Sequence, residues 1–467
     1  MARALARRVA VVGGGIAGST AAWALERAGV EVELFESEPT LGGNAKTHTW
    51  TLDEGRDHAR ELTTGLSVLA WPERVFRNYT ALLDELDIES KTVDLRFFIR
   101  SGEQTWEAGE GPLVRRYAED LRRWRELIAF ITRINHVFEG RPSWPSMYRM
   151  APLNPMNLIP LWTLARWFGV SRGFWEDVVV SIHSSTFLTT RLDGLPAVIA
   201  PTIDAIVPLD GPAKMRTWAS DSRVVFQRLV AGFAERVHCC SAITRIEQSP
   251  SGGVTLGDER GRSHSFDAAV FACPASATYA ALQRRRPLHE LLLRGIAYVD
   301  DNDDTFLQGR VHSDPSVIPP SERAQVLGEF CNYVTVHREG GSRPRYTNHF
   351  VLSSWVPSAR GQGMPMLVSY DGREPEPGQR VISNRRAHPD LNTANLLRAL
   401  LYRFMQGRDN LYYCGSYATP GNGHDLSLLS GLVVANQLGA DYPFEKAGTE
   451  TREDFRLLRR MMLGRWR

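Results

Sequence analysis

The sequence predicts an α/β fold in which a Rossmann-type nucleotide-binding domain, assembled from separated stretches of chain, is interleaved with an α+β domain. Three observations predict it. A strand, a glycine turn and a helix follow one another within residues 8–28. Strand-like alternation returns after residue 205, and a second strand, glycine loop and helix stand at residues 411–439. With 467 residues, 43% of them hydrophobic, the chain can bury a large core and divides into two or three domain-sized units.

The bulk properties exclude several classes. Lys and Arg number 55 against 53 Asp and Glu, a net charge of +2, so nothing calls for a nucleic-acid partner. No stretch approaches the ~18 apolar residues of a membrane span. The opening "MARALARRVAVVGGG" is too short in its apolar run for a signal peptide. Five cysteines, at 239, 240, 273, 331 and 414, lack metal-ligand or disulfide-framework spacing. They read as reduced thiols, and the expected location is cytoplasmic with no metal. Cys239 and Cys240 read as adjacent strand residues pointing to opposite faces.

The first unit carries the most specific signal. Val9 to Val12 form a short buried strand, and Gly13-x-Gly15-x-x-Gly18 opens a helix through Ile16 and Ala17. A second strand ends on Glu36-Ser37, with Glu36 standing 18 residues after Gly18. Gly13 permits the tight turn, Gly15 lets backbone approach a pyrophosphate, and Gly18 lets the helix pack on the strand. The pyrophosphate would sit at the helix N-terminus, with Glu36 accepting from ribose hydroxyls. Gly42-Gly43, six residues after Glu36, allow another close backbone approach, as a long extended cofactor requires.

The run "ESEPTLGGNAKT" resembles the flavin-containing amine oxidase and phytoene desaturase superfamily, and the resemblance extends over roughly residues 7–447. It implies a Rossmann-type (GR2-like) FAD-binding domain interleaved with an α+β substrate-binding domain. Non-covalent FAD would be held at Gly13, Gly15, Ile16, Ala17, Gly18, Glu36, Ser37, Gly42, Gly43 and Asn44. Further contacts would come from Thr64, Gly65, Ile243, Cys273, Gly415, Ser416, Leu428 and Leu429. A bacterial group of NAD/FAD-binding proteins is a more specific match, echoed in "GRVHSDPSVIPP", "AHPD" and "GHDLSLLSG". The chain departs from the superfamily at Asn44, where Arg is common, and at Thr63, where Asp often stands. It departs again at Ala219-Ser220-Asp221 in place of Gly-Gly, and at Asp425-Leu426-Ser427 in place of Glu-Asp-Gly.

On this reading the FAD-binding domain occupies residues 1–105, 205–285 and 385–447. Its substrate partner occupies a helical part, 106–204, and a β-rich part, 286–384, and a basic amphipathic helix fills 448–467. The apolar face of that helix, Phe455, Leu458, Met461 and Met462, would lie on a membrane surface or pack against the body or a second subunit, leaving monomer or homodimer open.

Candidate chemical groups each carry a second meaning. Glu61 is a candidate base or a solvated surface acid. His424 would hydrogen-bond flavin or substrate, or order its loop. Asp425 is catalytic or a helix cap. Cys414 suggests covalent flavin or simple packing. His183, Trp355 and Tyr370 line a substrate pocket or fill the core. The functional expectation is an FAD-dependent oxidase or dehydrogenase that takes a hydride from a C–N or C–C bond of a lipophilic small molecule, as in lipid or natural-product tailoring. The alternatives are a redox-neutral flavin isomerase or cyclase, and a non-enzymatic carrier on the same fold.

Overall fold

The computed structural model describes residues 8–45, 47–52, 60–65, 68–135, 154–249, 252–338, 343–355, 365–374, 379–385 and 388–464. Its centre is a five-stranded, wholly parallel sheet. The strands are β1 (Arg8–Val12) and β2 (Glu31–Phe35), then β8 (Val237–His238), β12 (Ala268–Phe271) and β18 (Leu411–Tyr413), in the spatial order β18-β12-β1-β2-β8. Val9, Ala10 and Val11 are all buried, as unbroken apolar runs become when a parallel sheet is covered on both faces. Three distant stretches of sequence therefore build one sheet. Between them lie a hairpin of β3 (Thr47–Leu52) and β4 (Arg60–Gly65) and a meander of β9 (Ile243–Gln248), β10 (Val254–Asp258) and β11 (Ser263–Phe266).

A second, eight-stranded mixed sheet joins β5 (Ser90–Ser101), β6 (Gln104–Glu107) and β7 (Ala213–Trp218) to β13 (Gln308–His312), β14 (Cys331–His337), β15 (Arg345–Val351), β16 (Leu367–Tyr370) and β17 (Arg380–Ser383). This corrects two boundaries. Strand β5 falls within the expected cofactor segment 1–105, and β7 within 205–285, yet Ser90 pairs with Trp218 and Leu95 with Ala213 inside the large sheet. The chain leaves the parallel sheet before residue 90 and rejoins it after Trp218. Strand pairing across more than a hundred residues overrides the local signal.

Helix α1 (Ile16–Arg27) and helix α2 (Arg77–Glu85) belong to the parallel-sheet side. Helix α3 (Ala118–Asn135) and helix α4 (Ser181–Phe187) belong to the other side, and helix α5 (Pro320–Gly328) packs beside β14. Helix α6 (His424–Gln437) is buried along most of its length and lies against α1. A Cβ on Gly431 would stand 2.2 Å from the Ala17 carbonyl oxygen, and one on Gly18 would stand 1.9 Å from the Gly13 oxygen. The helices meet backbone to backbone.

Helix α7 (Thr449–Leu463) sends Phe455, Leu458 and Met462 into the body, where it packs on α6 and α2, and Arg77 pairs with Asp454 at 3.0 Å. Of the two expectations for this helix, packing against the body is the one these contacts show for Phe455, Leu458 and Met462. Cys239 and Cys240 are also not on a strand. Strand β8 ends at His238, and Cys240 has φ +49° as the chain bends around Glu36.

The outer face of the large sheet holds a fully paired polar chain. The Asp314 N–H donates to His312 Nδ1 at 3.1 Å, which leaves His312 Nε2 to donate to Ser369 Oγ at 2.6 Å. The Ser369 hydroxyl then donates to His349 Nδ1 at 2.6 Å. Beside it the buried Arg310 and Asp371 pair at 2.5 Å. Burial lowers His312 to about 4 and His349 to about 3.

Two expectations follow from these contacts. Gly431→Ala should cost ~1–3 kcal/mol in chemical denaturation because it drives a methyl into backbone, whereas Gly328→Ala, with open space around it, should change stability little. Because the buried histidines bind protons more weakly folded than unfolded, the unfolded chain takes up more protons below about pH 6.5. Stability is therefore full above that pH and should fall as the pH drops toward about 4, with His349→Gln showing a shallower loss in pH-dependent melting.

Candidate functional site

The two glycine turns of the first unit form one groove. Gly13, at φ +107°, leaves no room for a side chain, since a Cβ would lie 2.7 Å from the Cys273 backbone nitrogen. Gly42 N–H donates to the Gly14 carbonyl at 3.0 Å and bridges Gly15, so the turns at 13–18 and 42–43 abut. Gly15 behaves differently from its neighbours. A Cβ there would meet only the Gly43 Cα, at 3.8 Å, so its outer face is open backbone. Gly15 is also the N-cap of α1, with no side chain capping it and no acid in the first turn. The first N–H groups of α1 are left for an anion, with the helix dipole behind them.

Glu36 sits at the end of β2, as a ribose-binding acid requires. It accepts from the Gly14 N–H at 2.7 Å and the Glu38 N–H at 2.9 Å, and the Ser37 hydroxyl lies 3.1 Å away. The Ser241 N–H donates to the Glu36 carbonyl at 2.8 Å, which brings Ile243 and the start of β9 to this end. Cys273 follows β12 beside Gly13, its thiol near Thr278 Oγ1 at 3.2 Å and pushed up to about 11 by burial. Asn44 lies in the exposed turn after Gly43, and Thr47 Oγ1 lies 2.9 Å from Ser222 Oγ, which itself donates to the Ala45 carbonyl. Gly65 ends β4 opposite Thr47. The side chains of Thr64 and Glu61 fall outside the described residues; in backbone register Glu61 stands opposite Thr51.

The C-terminal unit faces the same region. Strand β18 delivers Cys414, which is fully buried with its thiol pushed far up by that burial. Gly415, at φ +105°, donates its N–H to Ser430 Oγ at 2.8 Å, and the Ser430 hydroxyl donates to the Ser427 carbonyl at 2.6 Å. Ser416 opens a short turn, and Leu428 and Leu429 are buried in α6. The N-cap of α6 is Gly423, again with no side-chain cap. Two uncapped helix N-termini therefore belong to helices pinned together at Ala17 and Gly431. That cradle, tight at Gly13, Gly18 and Gly431 and open at Gly15, fits an extended dinucleotide such as FAD.

Asp425, in the first turn of α6, points the other way. Its Oδ1 accepts the Tyr79 N–H at 2.6 Å, in the first turn of α2, whose own N-cap Phe76 offers no side-chain acceptor. Asp425 therefore caps a neighbouring helix rather than its own. Burial pushes its carboxyl up to about 8, against the Tyr79 and Asn78 N–H groups that pull it down. It does not line the cavity described next.

A cavity of about 170 Å³ opens beside the start of α6. Its walls include Gly423 and His424, the segment Val68–Ala70, and Ser185–Leu188 at the end of α4. Its floor is the inner face of the large sheet, with Leu95, Phe97, Asn332, Phe350 and Tyr370. The His424 ring stands edge-on to Tyr79 at 4.7 Å, and burial lowers it to about 3. His388 also lines the cavity and is lowered to about 4 by the same cause.

Of the two expected pocket residues with described side chains, Tyr370 is in the wall and His183 is not; the Tyr370 hydroxyl accepts from Asn384 Nδ2 at 3.1 Å. His183 lies in α4, completely buried, and neither ring nitrogen has a hydrogen-bond partner. Trp355 ends a short helix, and its side chain is outside the described residues. Sequence reasoning missed Asn332, Phe350 and His388. The available signal was an Asn at a position whose period-2 neighbours, Val334 and Val336, are apolar. Among the described residues no helix is long and apolar enough to cross a membrane, and no group of three His, Cys, Asp or Glu could hold a metal.

Comparison with known proteins agrees with this geometry. Residues 11–86 match the family described as an NAD(P)-binding Rossmann-like domain. No curated protein matches the chain in sequence. A double mutant of putrescine oxidase is similar in structure, at TM-score 0.63 and 14% identity, covering 93% of this chain and 99% of that one. Cyclohexylamine oxidase from Brevibacterium oxydans is similar at TM-score 0.60 and 14% identity, with 93% and 99% covered. A fatty acid isomerase from P. acnes that produces CLA is similar at TM-score 0.60 and 14% identity, with 92% and 98% covered. The chain has the Rossmann-type fold of the FAD-binding amine oxidases.

The role of Asp425 can be separated from catalysis by stability. Asp425→Asn keeps a carbonyl oxygen for the Tyr79 N–H and should unfold in urea close to the parent. Asp425→Ala leaves the α2 terminus without its acceptor and should lose ~1–2 kcal/mol.

Proposed function

We propose that the protein is an FAD-dependent oxidoreductase that takes a hydride from a C–N or C–C bond of a lipophilic small molecule. The observation that carries this reading is the placement of the apolar cavity at the uncapped N-terminus of α6, the helix that packs backbone to backbone on the α1 that follows the Gly13–Gly18 turn. Bound there, FAD supplies a hydride acceptor.

The chain's own residues do the rest. Gly15, Gly42 and Gly43 give backbone room for the pyrophosphate, the first turn of α1 offers its N–H groups, and Glu36 is placed for ribose hydroxyls. The N-terminus of α6 provides positive potential without a charged side chain. Leu69, Phe97 and Phe350 exclude water and hold a substrate C–H in place, and His424 or His388, both kept neutral by burial, can hydrogen-bond the substrate at a ring nitrogen. The likeness to putrescine oxidase and cyclohexylamine oxidase supports the redox assignment at the level of fold.

Purified protein should show a flavin absorption spectrum, and anaerobic addition of the right lipophilic amine, lipid or biosynthetic intermediate should bleach it. A colourless protein that takes up no added FAD would overturn the proposal.

A further inference from the structure

The cavity has no charge with which to meet a charged ligand. No described residue lining it is Asp, Glu, Lys or Arg, and its two histidines are held neutral by burial. Yet its floor is not simply greasy. Asn332 lines it while only 1% exposed, and its Oδ1 accepts no hydrogen bond. On the neighbouring strand and the same sheet face stands Asn348, directly opposite Tyr370, with both amide atoms lacking a partner and no exposure at all. Buried polar atoms are almost always paired, so an amide left unpaired at a cavity wall, whose O and N ends a half-turn exchanges, points to a polar partner supplied from the cavity. An engineered cavity of similar volume accepts benzene, so the group bound here is about one ring in size.

We propose that this cavity selects uncharged molecules that present a hydrogen-bonding group to the Asn332 amide, so that the substrate binds as a neutral amide- or alcohol-bearing amphiphile rather than as an ammonium ion or a carboxylate. The inference rests on the cavity being the substrate site of the proposed function and names what that site accepts. An ion brought here would lose its hydration with no countercharge in return, whereas a neutral hydrogen-bonding group satisfies an amide that is otherwise left unpaired.

Three probes of nearly the same shape separate these cases: benzamide, benzoate and benzamidinium, titrated against the full-length protein by ligand-observed NMR. Benzamide is expected to bind at least ~10-fold tighter than either ion. Asn332→Asp should reverse the order in favour of benzamidinium, and Asn332→Leu should erase the preference for benzamide over toluene while melting no lower than the parent. A purely structural Asn332 would instead lose stability on becoming Leu and leave ligand preference unmoved. Equal or ion-favoured binding by the parent, no benzamide binding, or an unchanged order in Asn332→Asp would overturn the proposal, and the Asp variant decides alone if the Leu variant does not fold. The readout needs no flavin, so a colourless protein that still discriminates the probes would sink the redox assignment and leave this inference standing.

Discussion

The structure depends on one contact, the crossing of α1 and α6 at Ala17 and Gly431. At 2.2 Å from the Ala17 oxygen there is no room for even one methyl on Gly431, so the two axes are as close as backbones allow. That closeness fixes the relation between the nucleotide loop near the start of the chain and the loop near its end. Gly13 and Gly18 tighten the first loop against β12 and against itself, while Gly15 is left open. Two helix N-termini that lack capping side chains consequently belong to helices pinned together, each with donor groups that no side chain caps.

A helix terminus without a cap is a cost to the fold, and the structure shows where caps are spent instead. Asp425 could cap α6, but it reaches to α2 and serves the Tyr79 N–H. The same Tyr79 carries the ring against which His424 packs and accepts a hydrogen bond from Trp218 Nε1 at 3.1 Å. So the carboxyl that might have competed with a ligand at α6 is used to fasten α2 beneath the cavity wall. Arg77 and Asp454 then tie α2 to α7, which explains why the C-terminal helix keeps its apolar residues inward.

How much of this was legible depended on range. The fingerprint at Gly13, Gly15 and Gly18, the acid at Glu36 and the pair at Gly42 and Gly43 are local requirements of backbone geometry, and the sequence displays them directly. The return of the chain to the same sheet at Ala268–Phe271 and Leu411–Tyr413 was also readable, because short apolar runs ending in small residues recur there. The assignment of β5 and β7 was not readable. Their residues alternate as any strand does, and nothing local says that Leu95 will pair with Ala213 rather than join the parallel sheet. Nor does an amphipathic pattern say what its apolar face will meet, so the tail helix was open to lipid as well as to the more common packing against protein. Asp425 was legible as a cap but not as the cap of another helix.

The large sheet makes the strongest case about the cavity, because its two faces treat polar groups differently. On the outer face every polar side chain in the row from Arg310 to Ser369, His349 and Tyr333 has a partner. On the inner face the tyrosine hydroxyls are paired, Tyr346 to the Glu176 carbonyl and Tyr370 from Asn384, but Asn332 Oδ1 and both amide atoms of Asn348 are not. The same strands carry both rows, so the difference does not come from a poorly formed sheet. Each unpaired buried amide atom costs about 1–3 kcal/mol, and an aliphatic residue of similar size would remove that cost. Asn332 is the unpaired amide of that inner face that also lines the cavity, so a molecule that enters can supply there the partner that the fold does not.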